Sequence, residues 1–291
     1  MHKAGFVNII GNPNVGKSTL MNQLTGEKLS IITAKAQTTR HRIMGIVSGD
    51  DFQIVYSDTP GILEPKYKLQ ETMLHFVESA LTDADILLFV TDPYDSKKIN
   101  LEYAEKIKEL DVPILLILNK IDTIGQDEAT KLIEMWQGIY PKSEIIPVSA
   151  MHKFNIERVM SSILFHLPES PAYFEKEKLT DKPMRFFVAE IIREKILLNF
   201  RQEIPYSTEV VVESYKEYPQ ITKILATIFV ERESQKPIII GNKGLAIKKI
   251  GVEARKDIEK FIETKVYLEL FVKVNKDWRN DTLKLRRFGY E

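Results

Sequence analysis

The segment Gly11-Asn12-Pro13-Asn14-Val15-Gly16-Lys17-Ser18 constrains this chain more than any other part of it. It follows a short apolar run, Phe6 to Ile10, and leads into a helix-like stretch from Thr19 to Leu24. Two glycines separated by four residues, then Lys and a hydroxyl, describe a wide loop. Such a loop turns its backbone N–H groups inward around anionic oxygens and then starts a helix whose positive end faces them. In this pattern Lys17 reaches the β- and γ-phosphates and the Ser18 hydroxyl binds Mg²⁺. The prediction is a strand, a phosphate cradle and a helix, hence an α/β unit for a nucleoside triphosphate.

The rest of residues 1–167 agrees, alternating short apolar runs with longer amphipathic stretches. Expected strands are Phe6 to Ile10, Ile43 to Val47, Phe52 to Ser57, Ile86 to Thr91, Pro113 to Leu118 and Glu144 to Val148. Only Gly49-Asp50-Asp51 separates the second from the third, so these should form a hairpin that adds one antiparallel strand to a mostly parallel, doubly wound sheet.

Further motifs fall at the carboxyl ends of these strands, where open α/β sheets bind ligands. Asp58-Thr59-Pro60-Gly61 places a carboxylate for Mg²⁺ and a Gly61 N–H for a γ-phosphate. Asn119-Lys120-Ile121-Asp122 offers a carboxylate, Asp122, that can accept from the N1–H and exocyclic amine of guanine. Adenine has neither donor there and would leave that carboxylate unpaired. Ser149-Ala150 offers the Ala150 N–H to guanine O6. In the loop Ala36-Gln37-Thr38-Thr39-Arg40, one threonine should close on Mg²⁺ and the γ-phosphate, Thr39 before Thr38. The expected metal ligands are therefore Ser18, Thr39 and Asp58. Ile62 follows Gly61, and an aliphatic side chain cannot orient a water, so intrinsic turnover should be slow.

Residues 168–183 carry three prolines in a dense mixture of charges and are expected to be a linker. Beyond it the order changes: a helix (Phe186 to Phe200), two strands (Thr208 to Tyr215 and Ile221 to Glu231), helical material from Lys243 to Glu263, and an alternating strand, Val266 to Val274. Residues 184–291 hold 21 Lys and Arg against 16 Asp and Glu, a net of +5 in a chain of zero net charge, which points to a polyanionic partner. Ile240-Gly241-Asn242-Lys243-Gly244 precedes a basic helix with Lys248, Lys249, Arg255 and Lys256. KH domains use a Gly-x-x-Gly turn between two helices to clamp about four nucleotides of single-stranded RNA. Lys243 should meet a phosphate, and the isoleucines from Ile238 to Ile240 should form an apolar floor. The element order fits the bacterial, type II form of that fold. The tail from Trp278 to Arg287 either extends the basic face or is a solvated end.

The absence of cysteine excludes disulfides, thiol catalysis and cysteine-bound zinc. No secretion signal is recognisable at the N-terminus, and no apolar run approaches the roughly 20 residues that span a bilayer. A cytoplasmic, monomeric, soluble protein is expected.

Together the motifs resemble those of the Era family of bacterial ribosome-assembly GTPases, over roughly residues 5–290. The resemblance implies a P-loop GTPase domain (1–167) followed by a smaller α+β KH domain (184–291). It implies hydrolysis of GTP with Mg²⁺, with Lys17, Asn14, Thr39 and Gly61 at the reacting phosphate. In some relatives the Asn matching Asn14 helps hold K⁺ in place of an arginine finger; here it either does so or braces the loop. Also implied are binding to the 3′ region of small-subunit ribosomal RNA, action in assembly of the small ribosomal subunit, and peripheral membrane contact. An RNA-binding factor that senses GTP with negligible hydrolysis is the alternative. Asn12 departs from the family pattern, in which a basic residue is common.

Overall fold

The computed structural model describes residues 1–95 and 101–290. The chain divides into two units, Met1–Glu64 with Met73–Asp181, and Pro65–Thr72 with Lys182–Glu291.

In chain order the first part runs β1 (Lys3–Ile10), α1 (Lys17–Thr25), β2 (Ile43–Ser48), β3 (Phe52–Asp58), α2 (Lys68–Thr82), β4 (Ile86–Thr91), α3 (Leu101–Lys108), β5 (Ile114–Leu118), α4 (Gln126–Ile139), β6 (Glu144–Pro147) and α5 (Ile156–His166). The sheet order is β2-β3-β1-β4-β5-β6. All neighbours are parallel except β2 and β3, the expected hairpin, closed by the Gly49 N–H on the Phe52 carbonyl. β4 reads Ile-Leu-Leu-Phe-Val-Thr and is buried on both faces, as a central parallel strand requires. One face is closed by Val77 of α2, Ile107 of α3, and Trp136 and Tyr140 at the end of α4, packed with Leu87, Phe89 and Leu116. The Phe89 ring meets Trp136 edge-on at 5.9 Å.

The stretch expected as a linker is mostly a strap on this unit. Ala4 N–H donates to the Pro168 carbonyl, Ile46 N–H to Leu179, and Thr180 Oγ1 to Met44. Gln53 donates to the Phe174 carbonyl and accepts from the Tyr173 and Phe174 N–H groups. β2 is the edge of the sheet, and the strap satisfies backbone groups that the edge would leave open. The division between the units falls after Asp181, within the stretch 168–183.

The second unit contains α6 (Met184–Asn199), β7 (Thr208–Tyr218), β8 (Ile221–Val230), α7 (Lys236–Ile240), α8 (Leu245–Ile262), β9 (Val266–Val274) and α9 (Thr282–Arg287). β7 pairs antiparallel with β8, and β8 parallel with β9. Ile192 and Ile196 of α6, Ile224 and Ile228 of β8, and Ile250 and Ile258 of α8 form the core. The helical segment starts earlier than expected, because Pro237 fits the first turn of a short helix.

Buried charge fixes the end of the chain. Arg193 and Glu190 form a two-point ion pair at 2.7 and 2.5 Å, both residues being buried. The Tyr290 hydroxyl donates to buried Glu209 at 2.6 Å, and Trp278 Nε1 donates to the Ser207 carbonyl. Tyr290→Phe removes a donor from a buried carboxylate, so the second unit should lose about 1–3 kcal/mol in urea unfolding. An unchanged midpoint would show that the hydroxyl contributes nothing there.

Candidate functional site

The loop between β1 and α1 is held by contacts far away in sequence. Gly16 has φ 97°, and a Cβ on it would sit 2.2 Å from Asn119 Nδ2, so only glycine fits. Asn119 Nδ2 donates to the Val15 carbonyl at 2.8 Å, while its Oδ1 accepts the Ala150 N–H at 3.0 Å. The Ala150 N–H expected to face guanine O6 is thus engaged by Asn119. Thr59 Oγ1 donates to the Ile9 carbonyl and Ile62 N–H to the Gly11 carbonyl, fastening the Asp58–Gly61 turn to the cradle.

Lys17 is 6 % exposed, and its ammonium donates to the Gly11 and Asn12 carbonyls, both at 2.9 Å. Burial lowers its pKa to about 8, against the opposing pull of Asp58 and Asp95. Ser18 Oγ donates to Asp58 Oδ2 at 2.7 Å and lies 2.9 Å from Thr39 Oγ1, which itself donates to Asp58 Oδ2 at 3.3 Å. The three residues expected to ligate a metal therefore converge. Thr38 instead bonds Thr33 and the Lys35 carbonyl. Burial raises the Asp58 pKa, with Ser18 and Lys17 pulling the other way. Its Oδ1 is buried without a hydrogen-bond partner among the described residues. Oxygens alone, one a carboxylate with an unmatched buried atom, suit a hard divalent cation such as Mg²⁺.

At the other end of the loop, Lys120 Nζ donates to the Asn14 carbonyl and to Asp92, both at 2.6 Å. The Asp122 carboxylate, expected to meet guanine, is partly exposed and lies 3.6 Å from His152 Nε2, too far for a hydrogen bond. Asn14, whose φ is 66°, donates from Nδ2 to the Ala34 carbonyl at 3.2 Å. Asn12 turns its amide to Asp95, and Val15 is core.

A cavity of about 480 Å³ is lined by Pro13, Asn14, Gly16, Lys17, Ser18, Thr19, Thr38, Thr39, Thr59, Gly61 and Lys120. Also lining it are Ile31 to Ala34, Gln37 and Met151, which the sequence reading missed. The available signal was Ile31-Ile32, an apolar pair in a loop, of which Ile32 is 43 % exposed. Asn119 and Ala150 stand behind the wall as braces, and Ile62 is buried in the core beside Ile10.

In the second unit the Gly-x-x-Gly turn joins α7 to α8. A Cβ on Gly241, φ 73°, would lie 2.6 Å from the Ala246 Cβ, and Lys243 also has positive φ, 49°. Asn242 and Lys243 are exposed at this turn. A second cavity, about 320 Å³, runs between α8 and β9, lined by Ile247, Lys248, Gly251, Val252, Arg255, Leu268 and Leu270. Its apolar floor comes from these residues rather than from Ile238 to Ile240. Ile239 is core, and Ile240, half-buried, is not among the lining residues. Lys249 pairs with Glu253 at 3.8 Å and lies outside the lining. Lys248 and Arg255 place positive charge over an apolar slot, an arrangement that suits unstacked bases and their phosphates.

Residues 6–120 match a family model described as 50S ribosome-binding GTPase, and residues 203–279 one described as KH domain. The chain is 47% identical to GTPase Era of Syntrophus aciditrophicus, covering 100% of this chain and 96% of that one. It is similar to a crystal structure of Era in complex with MgGDPNP and nucleotides 1506–1542 of 16S ribosomal RNA. That likeness has TM-score 0.95 and 41% identity and covers 100% and 99% of the two chains. A variant of Aquifex aeolicus Era bound to GDP and AlF4⁻ matches at TM-score 0.95 and 41% identity, covering 99% of each.

Anionic oxygens brought against Lys17 favour its charged form, so nucleotide binding above pH 8 should take up a proton. The sign follows: affinity is full below about pH 8 and falls as pH rises through the higher pKa of the complex. Calorimetry with GDP at pH 8.5, in two buffers of different ionisation enthalpy, should show uptake of most of a proton, vanishing by pH 6.5. Equal heats at pH 8.5 would refute it.

Proposed function

The chain belongs to the Era family of GTPases, and from that premise we propose that it is a GTP-hydrolysing switch whose KH unit binds the 3′ region of small-subunit ribosomal RNA during assembly of that subunit. The observation that carries the reading is the convergence of Ser18, Thr39 and Asp58 beside buried Lys17. Lys17 and the backbone N–H groups of Asn14 to Thr19 would hold the β- and γ-phosphates. Ser18, Thr39 and Asp58 would hold Mg²⁺, which when bound neutralises charge on those oxygens. Thr39 and Gly61 would close on the γ-phosphate, and loss of that phosphate as GTP and water become GDP and phosphate would release them. With Ile62 buried in the core, no side chain at that position can orient the water, so turnover without a partner is slow. Asp122 would accept two hydrogen bonds from guanine, over the platform of Lys120.

The KH unit adds a clamp. The backbone at Gly241 to Gly244 would approach phosphates, Lys243, Lys248 and Arg255 would pair with them, and the slot between α8 and β9 would take bases. A cytoplasmic monomer with peripheral membrane contact completes the reading. Among the described residues no helix is long and apolar enough to cross a membrane.

Asn14 is proposed to help hold K⁺ at the phosphates. GTP turnover of wild type should be several-fold faster in K⁺ than in Na⁺, and Asn14→Ala should erase the difference; equal rates in all four arms remove the ion. Gly241→Asp with Lys243→Ala should weaken binding of RNA bearing the ribosomal 3′ end at least tenfold, with GTP affinity unchanged. Retained RNA binding would count against the clamp.

A further inference from the structure

Lys120 forms part of the cavity wall, and its ammonium is held from two sides, by the Asn14 carbonyl and by Asp92 Oδ2. Asp92 sits just beyond β4 and is 5 % exposed. Its other oxygen, Oδ1, accepts the N–H groups of Tyr94 and Asp95, each at 2.9 Å. One carboxylate therefore does two separable jobs: Oδ1 closes its own turn, and Oδ2 anchors a cation on the neighbouring strand end. Lys120 needs such an anchor. It adopts φ 58°, a conformation rarely favourable outside glycine, and its side chain is 36 % exposed. A flexible four-carbon stem left untethered there would sample many rotamers.

We propose that Asp92 is a positioning residue for the base end of the nucleotide site: by fixing the Lys120 ammonium against the phosphate loop it lays the lysine stem flat as the platform on which the purine ring rests. This rests on the guanine-nucleotide reading above. Asp92 is not among the residues lining the cavity, whereas Lys120 is, so it acts through Lys120. Its loss therefore weakens ligands that carry a base and leaves the grip on bare phosphates alone.

Asp92→Asn separates the two jobs, since the amide oxygen still accepts the turn N–H groups while the charge opposite Lys120 is gone. Binding of GDP and of inorganic tripolyphosphate, both with Mg²⁺, would be measured for wild type, Asp92→Asn, Lys120→Ala and the double variant. Expected is a loss of about tenfold in GDP affinity for Asp92→Asn, as befits one charge-assisted hydrogen bond. Tripolyphosphate affinity should stay within twofold, and steady-state GTP hydrolysis should show a raised KM at constant kcat. In the Lys120→Ala background Asp92→Asn should add nothing, because there is no ammonium left to place. The inference is overturned if Asp92→Asn leaves GDP affinity unchanged, weakens tripolyphosphate as much as GDP, or adds its full effect to Lys120→Ala. Wild type that binds GDP no better than tripolyphosphate would instead sink the guanine-nucleotide reading.

Discussion

Asn119 is the side chain on which the arrangement of the first unit turns. Its amide reaches back to the Val15 carbonyl in the phosphate loop, its carbonyl takes the Ala150 N–H, and its own N–H is bonded to Thr91 at the end of β4. Three loops that belong to different strands are thereby fixed to one residue, 3 % exposed, where each bond is shielded from competing water. The absence of a side chain at Gly16 is the other half of this contact, because the amide occupies the volume a Cβ would need. The parallel sheet brings the loops to one edge; Asn119 converts proximity into fixed geometry.

Around that frame the site holds unbalanced charge. Lys17 is buried with only carbonyl acceptors, and Asp58 is buried with one oxygen unmatched, so burial lowers the pKa of the first and raises that of the second. Both groups are held in surroundings that disfavour their charged forms, a condition that a polyphosphate with its divalent cation would relieve. The second unit follows another logic. Among its buried charges, Arg193 pairs with Glu190 and Glu209 accepts from Tyr290, contacts within the unit that serve the fold. Two of its exposed charges, Lys248 and Arg255, line a groove with an apolar floor, and a third, Lys243, stands at the Gly-x-x-Gly turn.

Much of this was legible in the chain itself. The strands, the hairpin, the cradle and the order of elements in the second unit follow from periodicity and from motifs whose residues are adjacent. Local chemistry sufficed for the choice of Ser18 and Asp58, since each sits at a strand or loop end defined by its neighbours. The strap over β2 was not legible: its prolines and mixed charges look like a linker, and only the open edge beside it gives those residues partners.

By itself, then, the sequence determined which chemical groups exist and at which strand ends they emerge, because strand periodicity and loop spacing are properties of contiguous residues. Tertiary structure bore out the preference for Thr39 over Thr38 beside Asp58, and it alone decided that the Ala150 N–H goes to Asn119 and that Asp92 grips Lys120. It also decided that Leu268 and Leu270, not Ile239, floor the second groove. Each of these depends on which of two adjacent groups meets a partner 19 to 31 residues away or on another element. Side-chain direction at a contact of that kind is set by the packing of whole elements, which no local pattern encodes.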